Sequence, residues 1–550
     1  MGNGKKSGLE KNIFKAGVFV LVAHLLFKLA GLIQMKVMGY YLPKETFDVV
    51  YAVAFENCIY MLFLLGEESL GPSFLPVFMR EMDTESEASA WTFANTVLTI
   101  QLILLLAVSA ILMLCPHWVV SCLTTWSAAH SPEKFELAAQ SVRTLSPAVI
   151  GLSLGTTTYV LLNGYKRFFL AAFGDAVWKF CVVAFLVIGA FLSKNSAAML
   201  MWGLVAGALC KVATHLFGLR DKLPRFRFSL DFRHPAFKRL CWLMLPLFVG
   251  IIVAKVRDIF NGSYILSALD ESGLMQANSM GRKFQSTFLF LVPHTLAIAV
   301  FPFFCELVDQ NDQRKLGELL TRFGRMLMAL FIPLSLFVAV VSVPLTSVLF
   351  KGGQFDATAV QRTSISLSLY TAVLPAAAIE ALLMRAFFAN RRMISVTLMG
   401  IIFSGLSVMI SWFGLHYFGK YDLLLLGIIA GGFTLTRYFK SLALIGLLRK
   451  NTPIFPFVPT LLFLLRMAAA SALAGGIGWW SGKAAAQWFF PAIGLSGLKA
   501  DLATILGVGA VFGVIFLGGA YLFKIGEIRD FFDVITAKLK KKRGTPNALT

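Results

Sequence analysis

Charge is what this sequence has least of. Asp, Glu, Lys and Arg make up 14% of its 550 residues, while apolar residues reach 57%; ordinary globular domains carry about 25% charged residues. A chain this long with so little polar surface cannot cover a water-soluble globule. Paired cysteines are lacking too. The seven cysteines (58, 115, 122, 181, 210, 241 and 305) contain no CxxC and lie mostly in or beside apolar runs, which argues against a disulfide framework or a zinc site. The seven histidines form no HExxH, and there is no Walker loop or GxSxG elbow. No metal, no cofactor and no catalytic residue are therefore expected. Residues 1–11 are short and polar, with no small-residue cleavage site after the first apolar run, so they read as the lead-in to a retained span rather than a signal peptide.

What the chain does have is a series of long apolar runs between residues 13 and 525. A helix needs about 20 apolar residues to cross the hydrocarbon. That ruler predicts an all-α polytopic membrane protein of about fourteen spans, at 12–40, 48–66, 90–115, 138–163, 169–192, 197–218, 240–268, 275–305, 322–349, 361–388, 393–417, 422–447, 457–480 and 501–525. The net charge of +21 suggests nucleic acid at first sight, but most cations sit in short loops or in the tail (Lys538, Lys540, Lys541, Lys542, Arg543). The positive-inside rule places them there, so the expected partners are membrane lipids and not nucleic acid. Lys166/Arg167, Arg391/Arg392, Arg449/Lys450, the tail and the basic linker 219–239 all fall on one side if both termini are cytoplasmic. The acid-rich 67–89 stretch is the one awkward loop, and acids weigh little in this rule.

The linker divides the first twelve spans into six and six, giving 1–218, the linker 219–239, 240–450, and a last pair of spans with the tail at 451–550. Spans 4 and 10 each carry a mid-span proline, Pro147 and Pro375, and each ends in an aromatic-basic exit. Spans 1 and 7 both carry intramembrane cations. Such a parallel repeat suits a two-lobed alternating-access transporter.

Ionisable groups inside a membrane cost about 2.5–3.5 kcal/mol each on insertion scales, so each needs a partner, water or a function. Lys28 and Lys36 lie in span 1, Glu56 in span 2, Lys255, Arg257, Asp258 and Asn261 in span 7, and Arg282 and Lys283 in span 8. Asp175 and Lys179 are spaced to satisfy each other at i,i+4, and Lys211 and Arg437 are expected to snorkel to helix ends. Lys36 either reaches the interface or faces a cavity. Lys28, Arg257 and Arg282, in the first helices of both halves, suggest a cavity that accepts an anion. Glu56, Asp258 and Glu380 are the acids a proton- or sodium-coupled antiporter would use. A membrane glycosyltransferase is disfavoured by loops with no paired acids and no room for a catalytic domain; a scaffold is the third class.

Four stretches resemble the MurJ (MviN) lipid II flippases of the MOP superfamily. Gly66-Glu-Glu-Ser-Leu-Gly-Pro-Ser-Phe-Leu-Pro-Val-Phe78 is similar to that family's second-helix signature, and Val348-Leu-Phe-Lys-Gly-Gly-Gln-Phe355 to its lFxxGxF loop. Arg385-Ala-Phe-Phe-Ala389 resembles RaFYA, and Asn163-Gly-Tyr-Lys-Arg-Phe168 resembles lNtxxrF. The likeness runs in order over residues 12–450. It implies a V-shaped, MATE-like pair of six-helix lobes around a cationic cavity, with two C-terminal helices forming a groove for the lipid tail.

The implied substrate is an undecaprenyl-diphosphate sugar-peptide, moved across the bacterial cytoplasmic (inner) membrane as part of peptidoglycan synthesis. The family's cavity arginines fall on Lys28 and on Arg282 in Ser279-Met-Gly-Arg-Lys283, its second-helix acids on Asp48 and Glu67, and its first-helix Arg-Asp pair on Gln34-Met35. Lys36, Lys255 and Arg257 are candidates to replace the missing charge. The proposed sodium-site acid falls on Asn261, and span 11 has no Asn or Asp, so a sodium site of that kind is not expected. The alternatives are an exporter of O-antigen or capsule lipid-linked sugars and a MATE-like drug antiporter.

Overall fold

The computed structural model describes residues 29–192, 195–269, 271–289 and 295–528. Among them every regular element is helical, and the one β-bridge is an isolated Gly352–Phe355 pair. Among the described residues eleven helices are long and apolar enough to cross a membrane, or twelve if the bent pair Pro235–Leu245 and Phe248–Ser267 counts as one span. The two missing from the expected fourteen have separate reasons. Most of the first falls outside the described residues. The eighth is seen as Leu274–Leu289 and Thr295–Asp309, of 16 and 15 residues, each too short to span alone.

Local chemistry sets many of the ends. Ser86 accepts from Ser89 N at 3.1 Å to cap Glu87–Leu114. Asn195 caps Ser196–Gly218 from Ala197 N at 2.9 Å, and Asp312 caps Gln313–Val340 from Lys315 N at 3.0 Å. These oxygens satisfy amides that a helix start leaves without partners. The two aromatic-basic exits end in the same turn. Lys166 and Arg391 have positive φ (60° and 58°), and the next residue's N–H reaches back to a carbonyl, Arg167 to Leu162 and Arg392 to Phe387, both at 2.8 Å. That is a Schellman closure, so the sequence repeat is also a repeat of backbone geometry.

The two mid-span prolines are tolerated for a matching reason. Each deprives the carbonyl four residues earlier of its helical donor, and a hydroxyl takes that place: Ser146 Oγ donates to Arg143 O and Ser335 Oγ to Thr371 O, both at 2.9 Å. Tyr438 Oη and Ser441 Oγ satisfy the nearby Ala372 and Ala376 carbonyls, each at 2.9 Å. Inside a bilayer no water would do this.

The chain divides into two compact units. The first holds residues 1–280, 350–359 and 400–429; the second holds 281–349, 360–399 and 430–550. In the first, an apolar core of Phe74, Phe78, Trp91, Phe93 and Leu161 joins the helices Lys44–Thr84, Glu87–Leu114 and Pro132–Gly164. The basic linker lies along Glu87–Leu114: Asn95 Nδ2 donates to Arg225 O at 2.7 Å, Ser229 N donates to Thr99 Oγ1 at 3.1 Å, and Lys222 and Arg225 both pair with Glu87 at 2.8 Å. In the second, Phe304, Phe331, Leu383, Phe387 and Met467 form the core.

The 351–356 loop also belongs to the first unit. Gly353 has φ 56°, and a Cβ there would lie 2.2 Å from Tyr40 O, so only glycine fits. Lys36 Nζ donates to Lys351 O at 2.8 Å and Lys44 pairs with Asp356 at 2.7 Å. The loop is thus fastened to the end of the first span.

Candidate functional site

In the first unit, the Lys44–Thr84 helix runs as a wide π-helical stretch over Phe47–Ile59, and span 7 has a second one at Phe260–Tyr264. Such widenings mark places where regular packing has been given up, frequently at functional sites. The two approach so closely that a Cβ on Gly262 would lie 3.1 Å from Asn57 Oδ1.

Around them sit most of the polar residues singled out from sequence. Lys255 Nζ pairs with Glu68 at 2.5 Å. Arg257 donates to Asp258 Oδ1 through Nε and Nη2, at 3.0 and 2.6 Å, and through Nη1 to Ser404 Oγ at 3.3 Å. Asn261 Nδ2 donates to Ser407 Oγ at 3.1 Å, while its Oδ1 is buried with no partner. Glu56 accepts from Ser279 Oγ. Asp48, 5% exposed, accepts from Gly273 N at 2.5 Å and Gln276 N at 2.8 Å, and so caps the Leu274–Leu289 helix. Gln34 is buried with its Nε2 unpaired, Glu67 is half-buried, and Lys28 lies outside the described residues.

The same unit corrects two expectations. Asp175 is ion-paired with Lys211 of the neighbouring helix at 2.6 Å, not only within reach of Lys179 on its own. Lys211 does not snorkel. Its side chain is 2% exposed, and its Nζ lies 4.9 Å from the centre of the Phe63 ring. Burial this deep is tolerable because both the carboxylate and an aromatic face meet the ammonium.

The second unit arranges charge differently. Arg282 lies over the Phe433 ring with its guanidinium carbon 5.7 Å from the ring centre, and Arg437 lies over the same ring at 5.2 Å. Arg437 also grips both oxygens of Glu380, at 2.8 and 2.7 Å, and Lys440 reaches Glu380 at 2.6 Å. Arg437 was expected to snorkel; a buried carboxylate on the facing helix holds it instead. Arg282 is brought close because Gly281 packs on the Ala357–Thr371 helix, where a Cβ would lie 2.6 Å from Ser366 Cβ. Nearby, the Thr363 and Ser366 hydroxyls are buried without partners.

Sequence reasoning placed Arg282 among the candidates and missed Phe433, Arg437 and Lys440 as its company. The signal available was the i,i+3 spacing of Arg437 and Lys440 on a helix whose neighbour carries Glu380. Chemically, a guanidinium differs from an ammonium in presenting paired N–H donors in one plane, the geometry that a phosphate accepts bidentately. Among the described residues no group of three or more His, Cys, Asp and Glu is placed to hold a metal ion.

Residues 38–496 match the family model described as lipid II flippase MurJ. The lipid II flippase MurJ of Burkholderia cenocepacia is 24% identical over 385 residues, 69% of this chain and 74% of its own length. A probable lipid II flippase MurJ of Synechocystis sp. is 23% identical over 562 residues, covering 98% of this chain and 99% of its own. Among solved structures, a lipid II flippase MurJ in an inward closed conformation superposes with a TM-score of 0.71 at 18% identity, over 93% of this chain and 100% of that one. An inward-facing multidrug resistance MATE transporter of the MOP superfamily gives 0.62 at 13% identity, over 77% and 96%. The helical architecture expected from sequence is therefore shared with both kinds of transporter.

Proposed function

Because the chain belongs to the lipid II flippase MurJ family, we propose that it carries lipid II from the inner to the outer leaflet of the bacterial cytoplasmic membrane. It is a transporter and not an enzyme, works by alternating access, and has both termini in the cytoplasm. Its substrate is an undecaprenyl-diphosphate sugar-peptide, and its partners are that lipid and the membrane. The O-antigen, capsule and drug readings are set aside on the family match. The first twelve spans act as two groups of six, 1–218 and 240–450, joined by the linker 219–239, with 451–550 appended.

The observation that carries the site assignment is the pair of guanidiniums, Arg282 and Arg437, on the single Phe433 ring. We assign Arg282 to the diphosphate of the head group. Lys36, Lys255 and Arg257, which have protein partners, are assigned to holding the first unit together. Gripping the head drives transport only if the two access states hold it with different affinity.

The test is flipping of labelled lipid II by the purified protein in vesicles. Arg282→Ala should abolish it while thermal stability stays close to wild type, and Arg282→Lys should restore part, since a lysine cannot grip two oxygens in one plane. A structural role is the competing outcome: it would appear as an Arg282→Ala protein of low thermal stability, with Arg282→Lys restoring both stability and flipping in full. For orientation, single cysteines at Glu271 and Lys420 in an otherwise cysteine-free protein should label from outside intact cells. A cysteine at Arg227 should not, and labelling there would reverse the assigned topology.

A further inference from the structure

The second unit contains a cavity of about 640 Å³ between the Gln313–Val340 and Phe457–Ala484 helices, the loop carrying Pro453 and Pro456, and the turn that follows Gly497–Leu522. It plays no part in the site described above. Four cations line it, Arg322, Arg325, Arg466 and Lys524, against two acids, Glu318 and Glu527. Both acids are drawn elsewhere or held weakly. Glu318 takes Arg314 at 3.2 Å, and Glu527 meets Arg325 at 3.4 Å. Arg325 reaches Thr460 Oγ1 at 3.4 Å, lies 5.6 Å from the centre of Phe463, and leaves its buried Nε without a partner. Hydrogen bonds of that length are near the limit of usefulness. Among the described residues, the side chains of Arg322, Arg466 and Lys524 have no hydrogen-bonding or acidic partner at all.

Position limits what such a cluster is for. Lys524 and the 450–456 loop lie beyond helix ends, at headgroup level on the side assigned to the cytoplasm. Arg466 lies deeper, about 13 Å along its helix from Phe457 at 1.5 Å per residue. Its neighbours Leu462 and Leu465 are 46% and 59% exposed, a face turned to lipid. An unpaired cation beside lipid-facing leucines costs energy unless an anion comes to it, and a basic pocket between helices on this side is suited to a lipid phosphate. A soluble anion would satisfy the cations but leave the leucine wall bare. A phospholipid covers both, its phosphate among the guanidiniums and its acyl chains against the leucines.

We propose that this cavity binds the phosphodiester headgroup of an anionic membrane phospholipid, as a site separate from that of the transported lipid. Arg466 and Arg322 grip the phosphate oxygens, Lys524 adds charge at the rim, and Arg325 supplies its spare Nε–H. The inference stands whatever lipid the protein flips.

The experiment measures Tm of the full-length protein in detergent while short-chain phosphatidylglycerol, phosphatidylcholine or inorganic phosphate is titrated in. Phosphatidylglycerol should raise Tm saturably; phosphatidylcholine and inorganic phosphate should not. Each cation near a lipid surface is worth about fivefold in affinity, so Arg322→Gln with Arg466→Gln should weaken phosphatidylglycerol binding at least about tenfold. These side chains have no hydrogen-bonding or acidic partner among the described residues, so folding is expected to survive. Arg466→Lys guards against misfolding and should retain most of the binding. Arg314→Gln, just outside the cavity, should bind as wild type. Equal stabilisation by phosphatidylcholine would overturn the headgroup claim, and equal stabilisation by inorganic phosphate would overturn the lipid source. A matching loss in Arg314→Gln would reduce the effect to general surface charge.

Discussion

The two units handle intramembrane charge in opposite ways. In the first, Lys255, Arg257 and Lys211 each meet a carboxylate, Glu68, Asp258 and Asp175, at 2.5 to 2.6 Å. In the second, one carboxylate, Glu380, takes two cations, and the Phe433 ring receives two guanidiniums. A one-to-one ion pair buried among helices contributes mainly by not being broken, because its desolvation cost roughly cancels its attraction. In the second unit the cations are instead gathered round one aromatic face and one carboxylate. The difference teaches that intramembrane cations cannot be assigned to a substrate by their presence alone. Their partners decide.

Substitutions that remove one member of a buried pair test this contrast most strongly. Lys211→Met should lower stability by about 3–5 kcal/mol, because Asp175 loses its ion-pair partner inside the membrane, and Asp175→Asn in the same protein should recover most of the loss. Urea or thermal unfolding in detergent measures both. Arg282→Ala, by contrast, should lose flipping but little stability. If Arg282→Ala proves as unstable as Lys211→Met, the distinction between the units collapses.

A smaller effect is expected where the second unit brings Arg282 into place. A Cβ on Gly281 would lie 2.6 Å from Ser366 Cβ and 2.8 Å from Leu367 N. Gly281→Ala must push the helices apart, at a cost of about 1–3 kcal/mol, and should reduce flipping more than a substitution of equal cost in the first unit. In the first unit, Asp48→Asn keeps only one of two acceptors at the start of Leu274–Leu289. A loss of about 1 kcal/mol is expected, with no specific defect in transport.

The smallest effect concerns pH at the membrane surface. Arg167 grips Asp221 through Nη1 at 2.5 Å and Nη2 at 2.8 Å, and that bond holds the Asp221 carboxyl at about 2. An unfolded aspartate titrates near about 3.9. The stabilisation is therefore complete above about pH 4 and is lost as pH falls towards 2. Both side chains are substantially exposed, so the effect is slight. The small Tm advantage of wild type over Asp221→Asn should close over that range and stay constant above it; an advantage that persists at pH 2 would mean another group is responsible.

Much of this was legible in the residues. Apolar runs of bilayer length can be satisfied only by helices that bond their own backbone, so class and most spans followed from composition and spacing. The positive-φ exits at Lys166 and Arg391 were visible as aromatic-basic turns after corresponding spans. The paired glycines of the 351–356 loop were visible as a motif, though their reason, the approach to Tyr40, was not.

What the sequence could not supply was the choice of partner. Asp175 and Lys179 had the right spacing, yet Asp175 is ion-paired with Lys211. Lys255 found Glu68 across 187 residues of chain, and Arg437 was drawn inward by Glu380. Helical periodicity records which residues share a face, because 3.6 residues per turn is a property of a single helix. Which face meets which is decided by packing between helices, where one glycine such as Gly281 allows an approach that no spacing rule encodes. The spans are properties of the chain read alone; the pairs, and with them the assignment of Arg282, exist only once the helices are assembled.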